Sequence, residues 1–376
     1  MNAVTLQLKQ RTLPTEKAQR VFITDCEGPI SKNDNAYELT EHFIPDGSTF
    51  FALVSRYDDV QADIVKKPGY KAGDTLRLIL PFLRAFGATN EKIEKFSAKN
   101  ILLVPSAKDT LQFVRSIMPS FIVSTSYQQY IHALCKTVDF PFGNVYSTGL
   151  DLDRYQVSKN EMEELKRLKE EIVTMPMIRI PENATSINDF SERDRQTIER
   201  LDEIFWEEIS DMESGKMLKE VNPIGGFEKA NAVEDVMKKT GCKLLNTVYV
   251  GDSITDAQPF QLVRENDGLT VSFNGNSYAV REAEVAVLSM NTIVISVLTD
   301  VFNRLGKDNV IQLVREWGHS ALEKNVDPTL YKRMLESYPT SFPKVEVITS
   351  NNKERLMKES IAFRKTVRGK AIGGLG

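Results

Sequence analysis

The stretch VFITDCEGPI, residues 21–30, decides how the rest of the chain is read. Val21-Phe22-Ile23-Thr24 is a β-branched and aromatic run suited to a buried strand, and Gly28 lets the chain turn just beyond it. Asp25 and Glu27 stand between the two. Paired carboxylates at the end of a buried strand repel one another, so the remaining sequence must supply a compensating cation.

The bulk properties narrow where that compensation comes from. A chain of 376 residues, 41% hydrophobic and 27% charged, can bury a large core or divide into two or three domains. A net charge of −4 and a pI near 5.7 argue against a nucleic-acid partner. No apolar run reaches the roughly 18 residues needed to cross a bilayer, and MNAVTLQLKQRTLPTEK lacks a signal-peptide core, so the expected location is cytoplasmic. Cys26, Cys135 and Cys242 form no CxxC pair, and the histidines are His42, His132 and His319. That excludes a disulfide framework and a zinc site, leaving metal chemistry to oxygen ligands. Alternation along the strand turns Cys26 away from Asp25 and Glu27, as a packing residue.

Strands and helices then alternate. Residues 31–118 carry helical spacing almost throughout, with Ser106 placed to cap the helix that follows. SFIVSTS (120–126) reads as a strand, and NVYSTGLDLD (144–153) as another with a turn. Residues 154–220 form a charged helical insertion, in which KNEMEELKRLKEEI and SERDRQTIERLDEIFWEEI each carry one apolar stripe. From 221, a glycine-led helix stopped by Gly241, the strands NTVYVGD, GLTVSFN and EVAVL, and their connecting helices restore the pattern. Such alternation predicts an α/β fold with a Rossmann-like, doubly wound parallel sheet. The core is assigned to 1–30, 119–153 and 221–305, and a helical cap to 31–118. Residues 306–376 are a helical extension whose basic end, FRKTVRGKAIGGLG, is expected to be mobile.

Ligands of parallel sheets bind beyond the carboxyl ends of the strands. Asp25, the Ser124-Thr125-Ser126 cluster and Gly251-Asp252 all fall at that edge. In GDSITD (251–256), Asp252 and Asp256 lie four apart at a strand-to-helix turn and can face one point, although aspartates there also cap helices. Two unit charges about 4 Å apart cost roughly 4 kcal/mol at an effective dielectric of 20. Three carboxylates in one place therefore call for a cation, and few oxygen ligands with room for water suit Mg²⁺. Lys229, near the start of the helix after Gly225-Gly226, can offset charge on an incoming phosphate. The Ser124 hydroxyl can hydrogen-bond it.

The order Asp25, Ser124, Lys229, Gly251-Asp252-Ser253-Ile254-Thr255-Asp256 resembles the haloacid dehalogenase superfamily, in particular its phosphoserine-phosphatase-like branch with a helical cap after the first strand. TDCEGP is also similar to an archaeal branch catalogued as subunit R of an energy-converting hydrogenase. The resemblance implies a Mg²⁺-dependent phosphohydrolase acting on a small phosphate monoester through an aspartyl-phosphate. It makes Asp25 the nucleophile and places Glu27 in the acid/base position. Gly28, Ser124, Thr125 and Lys229 become phosphate contacts, with Asp25, Glu27, Asp252 and Asp256 around the metal. The family pattern is DxDG, whereas this chain has Asp25-Cys26-Glu27-Gly28. Glutamate performs the same proton work from a carboxyl moved by more than about 1 Å, and proximity tolerates little displacement. The metal ligand at that position is a backbone carbonyl in the family, so metal binding is less exposed to the change than turnover. Arg56, Lys66, Lys67 and Lys71 of the cap are candidate contacts for an acidic substrate.

Two other readings fit part of this pattern. A receiver domain uses similar residues in a different order within a much shorter chain. A catalytically reduced subunit or scaffold, docking a protein partner or a second copy through 154–220 or the basic tail, would share this fold.

Overall fold

The structure, a computed structural model, describes residues 19–374. Its frame is one seven-stranded sheet in the order β3-β2-β1-β4-β5-β6-β7, with β1 at Val21–Thr24, β2 at Ser120–Tyr127, β3 at Val145–Thr148, β4 at Thr247–Gly251, β5 at Leu269–Phe273, β6 at Val285–Leu288 and β7 at Lys344–Val347. The first six are parallel. The β7 strand pairs antiparallel with β6, so the extension expected to be helical also contributes an edge strand. The chain builds outward on one side of β1 through β2 and β3, then returns to its other side with β4. That reversal leaves a crevice at the carboxyl end of β1.

Alternation along the strands divides the core between the two faces. Phe22, Ile122, Val248 and Val250 pack on one side with Val294, Val297 and Val301 of the helix Ile293–Leu305. Val21, Ile23, Val123 and Tyr249 pack on the other with Val233 and Val236 of the helix Gly226–Thr240. Cys26 is wholly buried on the first side, where burial pushes its thiol pKa up and leaves it a packing residue.

Three sequence assignments shift. The helix Ala107–Ile117, assigned to the cap, lays Leu111 and Val114 against the sheet and so belongs to the core layer. Ser106, at its start, has a left-handed φ of 63° and makes no side-chain cap. The insertion at 154–220 shares a single apolar core with the first cap. Leu165, Leu168 and Ile172 of the helix Lys159–Thr174, with Leu201 and Phe205, close over Phe50, Phe82 and Leu83. An apolar stripe announces that a helix face is buried but not which surface covers it.

Polar contacts fasten these cap layers together. Tyr57 and Lys67 both donate to Asp202 Oδ1, at 2.7 and 2.9 Å, and Trp206 Nε1 donates to the Tyr57 hydroxyl at 2.9 Å.

Candidate active site

Asp25 follows the last residue of β1, and its backbone N–H continues the ladder onto Val250 O at 2.8 Å. Parallel registry places Thr24 beside Ile122 and Val250, so β1 and β4 end together, while β2 runs on past them and carries Ser124 two residues beyond Ile122. That alignment brings residues from distant parts of the sequence to one edge. Carboxylate oxygens of Asp25, Asp252 and Asp256 lie within 4.8 Å of one another, and all three side chains are buried.

Lys229, fully buried, holds the group together. Its Nζ donates to Asp25 Oδ2 at 2.7 Å and to Asp256 Oδ1 at 2.9 Å. Burial opposes its charge, but the two carboxylates outweigh burial and raise its pKa. Asp25 Oδ1 accepts from Cys26 N at 2.6 Å. Burial pushes the Asp25 pKa up to about 7 against the pull of Lys229, with Asp256 and Asp252 adding to the rise. A second positive charge near Asp25 would therefore favour its ionised form.

Asp256 is brought to the cluster with both carboxylate oxygens accepting hydrogen bonds. Oδ1 also accepts from the Tyr249 hydroxyl at 2.8 Å, and Oδ2 accepts from Asp252 N at 2.8 Å and Ser253 N at 3.0 Å. It stands in the acidic cluster expected around the metal, and it also orients Lys229 and the turn after β4. Asp252 lies above Gly28, whose φ is 103° and where a Cβ would stand 2.2 Å from Asp252 Oδ2. Both the turn and the close approach demand glycine.

Glu27 lines the same cleft, but its side chain turns toward the cap. Its Oε1 accepts from Asn35 N, the first residue of the helix Asn35–Phe43, at 2.7 Å. Burial and the neighbouring Asp34 raise the Glu27 pKa well above the carboxylate range, while Arg368 and the Asn35 N–H restrain it. On β2, the buried Ser124 hydroxyl donates to the Ser126 hydroxyl over a long 3.2 Å. The neighbouring Thr125 hydroxyl is buried without a partner. An unsatisfied donor at a sheet edge is suited to a ligand oxygen.

The cap closes over this edge. Gly73, with φ 95°, sits so near Thr125 and Thr255 that a Cβ would meet their methyl carbons at 3.0 and 3.3 Å. Lys71 ties the cap loop to Glu228 at 2.6 Å. The cleft between cap and sheet holds a cavity of about 120 Å³. Its cap wall carries the carboxyls of Asp58 and Asp59 beside Phe51, Ser55, Thr75 and Leu76. Burial, reinforced by Asp74 and Asp59, lifts the Asp58 pKa to about 7, and burial lifts that of Asp59 to about 6. Arg56, Lys66, Lys67 and Lys71 do not line this cavity: Arg56 pairs with Asp59, Lys67 with Asp202 and Lys71 with Glu228, and Lys66 is exposed.

Sequence reasoning missed two cations. Arg364 and Arg368, from the segment expected to be mobile, are buried in the cleft. Both donate to Asp252 Oδ2, Arg368 at 3.2 Å. The segment is helical through Arg368 and ends in a turn at Ile372–Gly374. The i, i+4 spacing of Arg364 and Arg368 carries both along one helix face, the signal available in the sequence. Even so, Asp25, Glu27, Asp34, Asp252 and Asp256 outnumber Lys229, Arg364 and Arg368. This donor set, carboxylate oxygens in net negative surroundings, fits a hard divalent cation held through Asp25 and Asp252.

The profile of the haloacid dehalogenase-like hydrolases matches residues 106–300, more than half of the chain. Among solved structures, the gene product AF1437 of Archaeoglobus fulgidus is 26% identical with a TM-score of 0.76, and the match covers 95% of this chain and 99% of that one. The likeness thus runs over nearly the whole chain rather than the sheet alone. A phosphoserine phosphatase structure described as a phospho-aspartyl intermediate analogue is 13% identical with a TM-score of 0.44, covering 74% of this chain and 98% of its own. A substrate-bound phosphoserine phosphatase complex matches at 14% and 0.42, covering the same 74% and 98%. No curated protein matches the chain. Among the described residues, no helix is long and apolar enough to cross a membrane.

Proposed function

This chain belongs to the haloacid dehalogenase-like hydrolases, and from that premise we propose that it hydrolyses a small phosphate monoester with Asp25 as nucleophile. The observation that carries the reading is the Asp25–Lys229–Asp256 array beside Asp252, assembled at the carboxyl edge of β1 and β4. A purely structural site gains little from buried carboxylates packed this closely.

Asp25 and Asp252 are the residues that would hold Mg²⁺. When bound, the ion supplies positive charge that neutralises the phosphoryl oxygens and favours ionised Asp25. An Asp25 carboxylate oxygen attacks phosphorus, forming an acyl-phosphate bond as the bond to the leaving alcohol oxygen breaks. Lys229 stays beside Asp25 and shares the charge of the phosphoryl oxygens, while the Ser124 and Thr125 hydroxyls donate to them. Glu27, its pKa raised by burial, carries the proton that the departing alkoxide takes. The resulting Glu27 carboxylate accepts a proton from water. The water oxygen attacks phosphorus, the Asp25 oxygen–phosphorus bond breaks, and inorganic phosphate leaves with Asp25 restored.

Glu27 reaches the N-terminus of the first cap helix through Asn35 N, so cap closure and placement of the acid are one event. A cavity of about 120 Å³ beneath the cap suits a small substrate.

A screen of phosphate monoesters with Mg²⁺ tests the reading on wild type, Asp25→Asn and Glu27→Gln. Asp25→Asn is expected to lose all measurable turnover, and Glu27→Gln about 10²–10⁴-fold. Undiminished turnover in Asp25→Asn ends the reading.

A further inference from the structure

The end of the C-terminal helix lies inside the cleft as a built contact. Arg364 is 4% exposed. Its Nη1 donates to both the carboxylate and the backbone oxygen of Asp252, the latter at 3.2 Å. Arg368 joins it on Asp252 Oδ2 and also donates to Lys32 O, at 3.0 Å, and to Asn33 O, in the loop after β1. Upstream, Ser360 Oγ donates to Gly275 O at 2.6 Å, and Leu356 packs with Val280, Ala286 and Leu288. Downstream, Ile372 packs against the apolar core of the cap. The segment therefore straps cap to sheet and presses two guanidinium groups on one carboxylate.

That carboxylate is one of the two that the functional reading needs for a divalent ion. A doubly charged ion on Asp252 would face two buried guanidinium groups across a few ångströms of protein, with little water to screen them. Arg364 is also imperfectly satisfied, since its Nε–H is buried without an acceptor. Charge holds it at Asp252, and a competing charge can release it.

We propose that the C-terminal helix is an intrasteric plug: Arg364 and Arg368 occupy Asp252 in place of the metal ion, and metal binding requires the helix end to withdraw. The proposal rests on Asp252 being a metal ligand, as in the functional reading above. Metal loading and release of the strap on the cap become one equilibrium, so in the resting protein the two guanidinium groups offset the charge of Asp252.

Mn²⁺ alone, without substrate, is the probe. Its affinity is read from the spin-resonance signal of the free ion for wild type, the Arg364→Ala/Arg368→Ala double variant, and each carrying Asp252→Asn. The double variant is expected to bind at least tenfold more tightly than wild type, and Asp252→Asn to abolish binding in both backgrounds. Equal or weaker binding by the double variant overturns the plug while leaving Asp252 as a metal ligand. Absence of Mn²⁺ binding in every protein overturns the metal reading and the plug with it. Should the double variant fail to fold, hydrogen exchange in wild type decides. Amides of 360–374 are expected to lose protection at least tenfold on adding Mn²⁺, and unchanged protection overturns the proposal.

Discussion

Two helices of sixteen residues, Lys159–Thr174 in the second insertion and Lys353–Arg368 at the C-terminal end, read almost alike as sequence. Both are rich in lysine, arginine and glutamate with a thin apolar stripe. Their charges meet opposite fates. Arg167 of the first has a side chain 54% exposed and pairs with Glu164, Glu171 and Glu208 on the outer surface of the cap. Arg364 and Arg368 of the second have side chains 5% and 4% exposed and converge on Asp252. Composition says that each helix has a charged face. Whether that face is solvated depends on a carboxylate supplied more than a hundred residues away.

The comparison can be broken or sharpened by removing charges one at a time. Lys229, buried between Asp25 and Asp256, should show the largest effect. Lys229→Met leaves two buried carboxylates unneutralised and is expected to cost about 3–5 kcal/mol in urea denaturation, together with turnover. A loss confined to activity would mean that the site tolerates its own repulsion. Arg364→Ala comes next, at about 1.5–3 kcal/mol in metal-free protein because Arg368 still holds Asp252. Added Mn²⁺ should recover much of that loss, through preferential binding to the folded state.

Asp58 supplies a case of opposite sign. Its pKa is raised from 3.8 to about 7 by burial, so the folded state holds the proton more tightly than the unfolded chain. Its contribution to stability is intact below about pH 4 and is lost as pH rises through about 7. Asp58→Asn, which retains an acceptor for Gly73 N, is therefore expected to stabilise the protein by about 1–2 kcal/mol at pH 8 and to change little at pH 4. Equal effects at the two pH values, in paired thermal melts, would contradict the assignment. Arg167→Ala should do least, moving the melting temperature by no more than about 1 °C, as for other exposed pairs. A larger shift would erase the contrast between the two helices.

These differences mark how far the sequence could be read. Asp25, Lys229 and Asp252 were legible because each follows or opens a regular element, Ser124 because it starts the hydroxyl cluster late in β2, and a parallel sheet delivers its carboxyl ends to one edge. Lys229 stood out only in that company, since a lysine on a helix is usually a surface charge. The union of the two cap insertions was hidden because Leu165 and Phe205 signal burial without naming their partners. The basic cap residues pointed the wrong way: Arg56, Lys67 and Lys71 are spent on nearby carboxylates, and the wall facing Asp25 carries the carboxyls of Asp58 and Asp59. Arg364 and Arg368 were obscured by their setting, a basic and glycine-rich terminus that ordinarily means mobility. Only the folded chain shows that Asp252 waits for them.

Chemical trapping at Asp25 tests the central claim most directly. Enzyme quenched during turnover and reduced with borohydride should convert an acyl-phosphate at Asp25 to homoserine, a change detectable by mass spectrometry in the peptide that contains residues 21–30. Homoserine at position 25, dependent on substrate and on Mg²⁺, is the expected result. Reduction at another carboxylate during measurable turnover, or none at all, would contradict a phosphorylated Asp25.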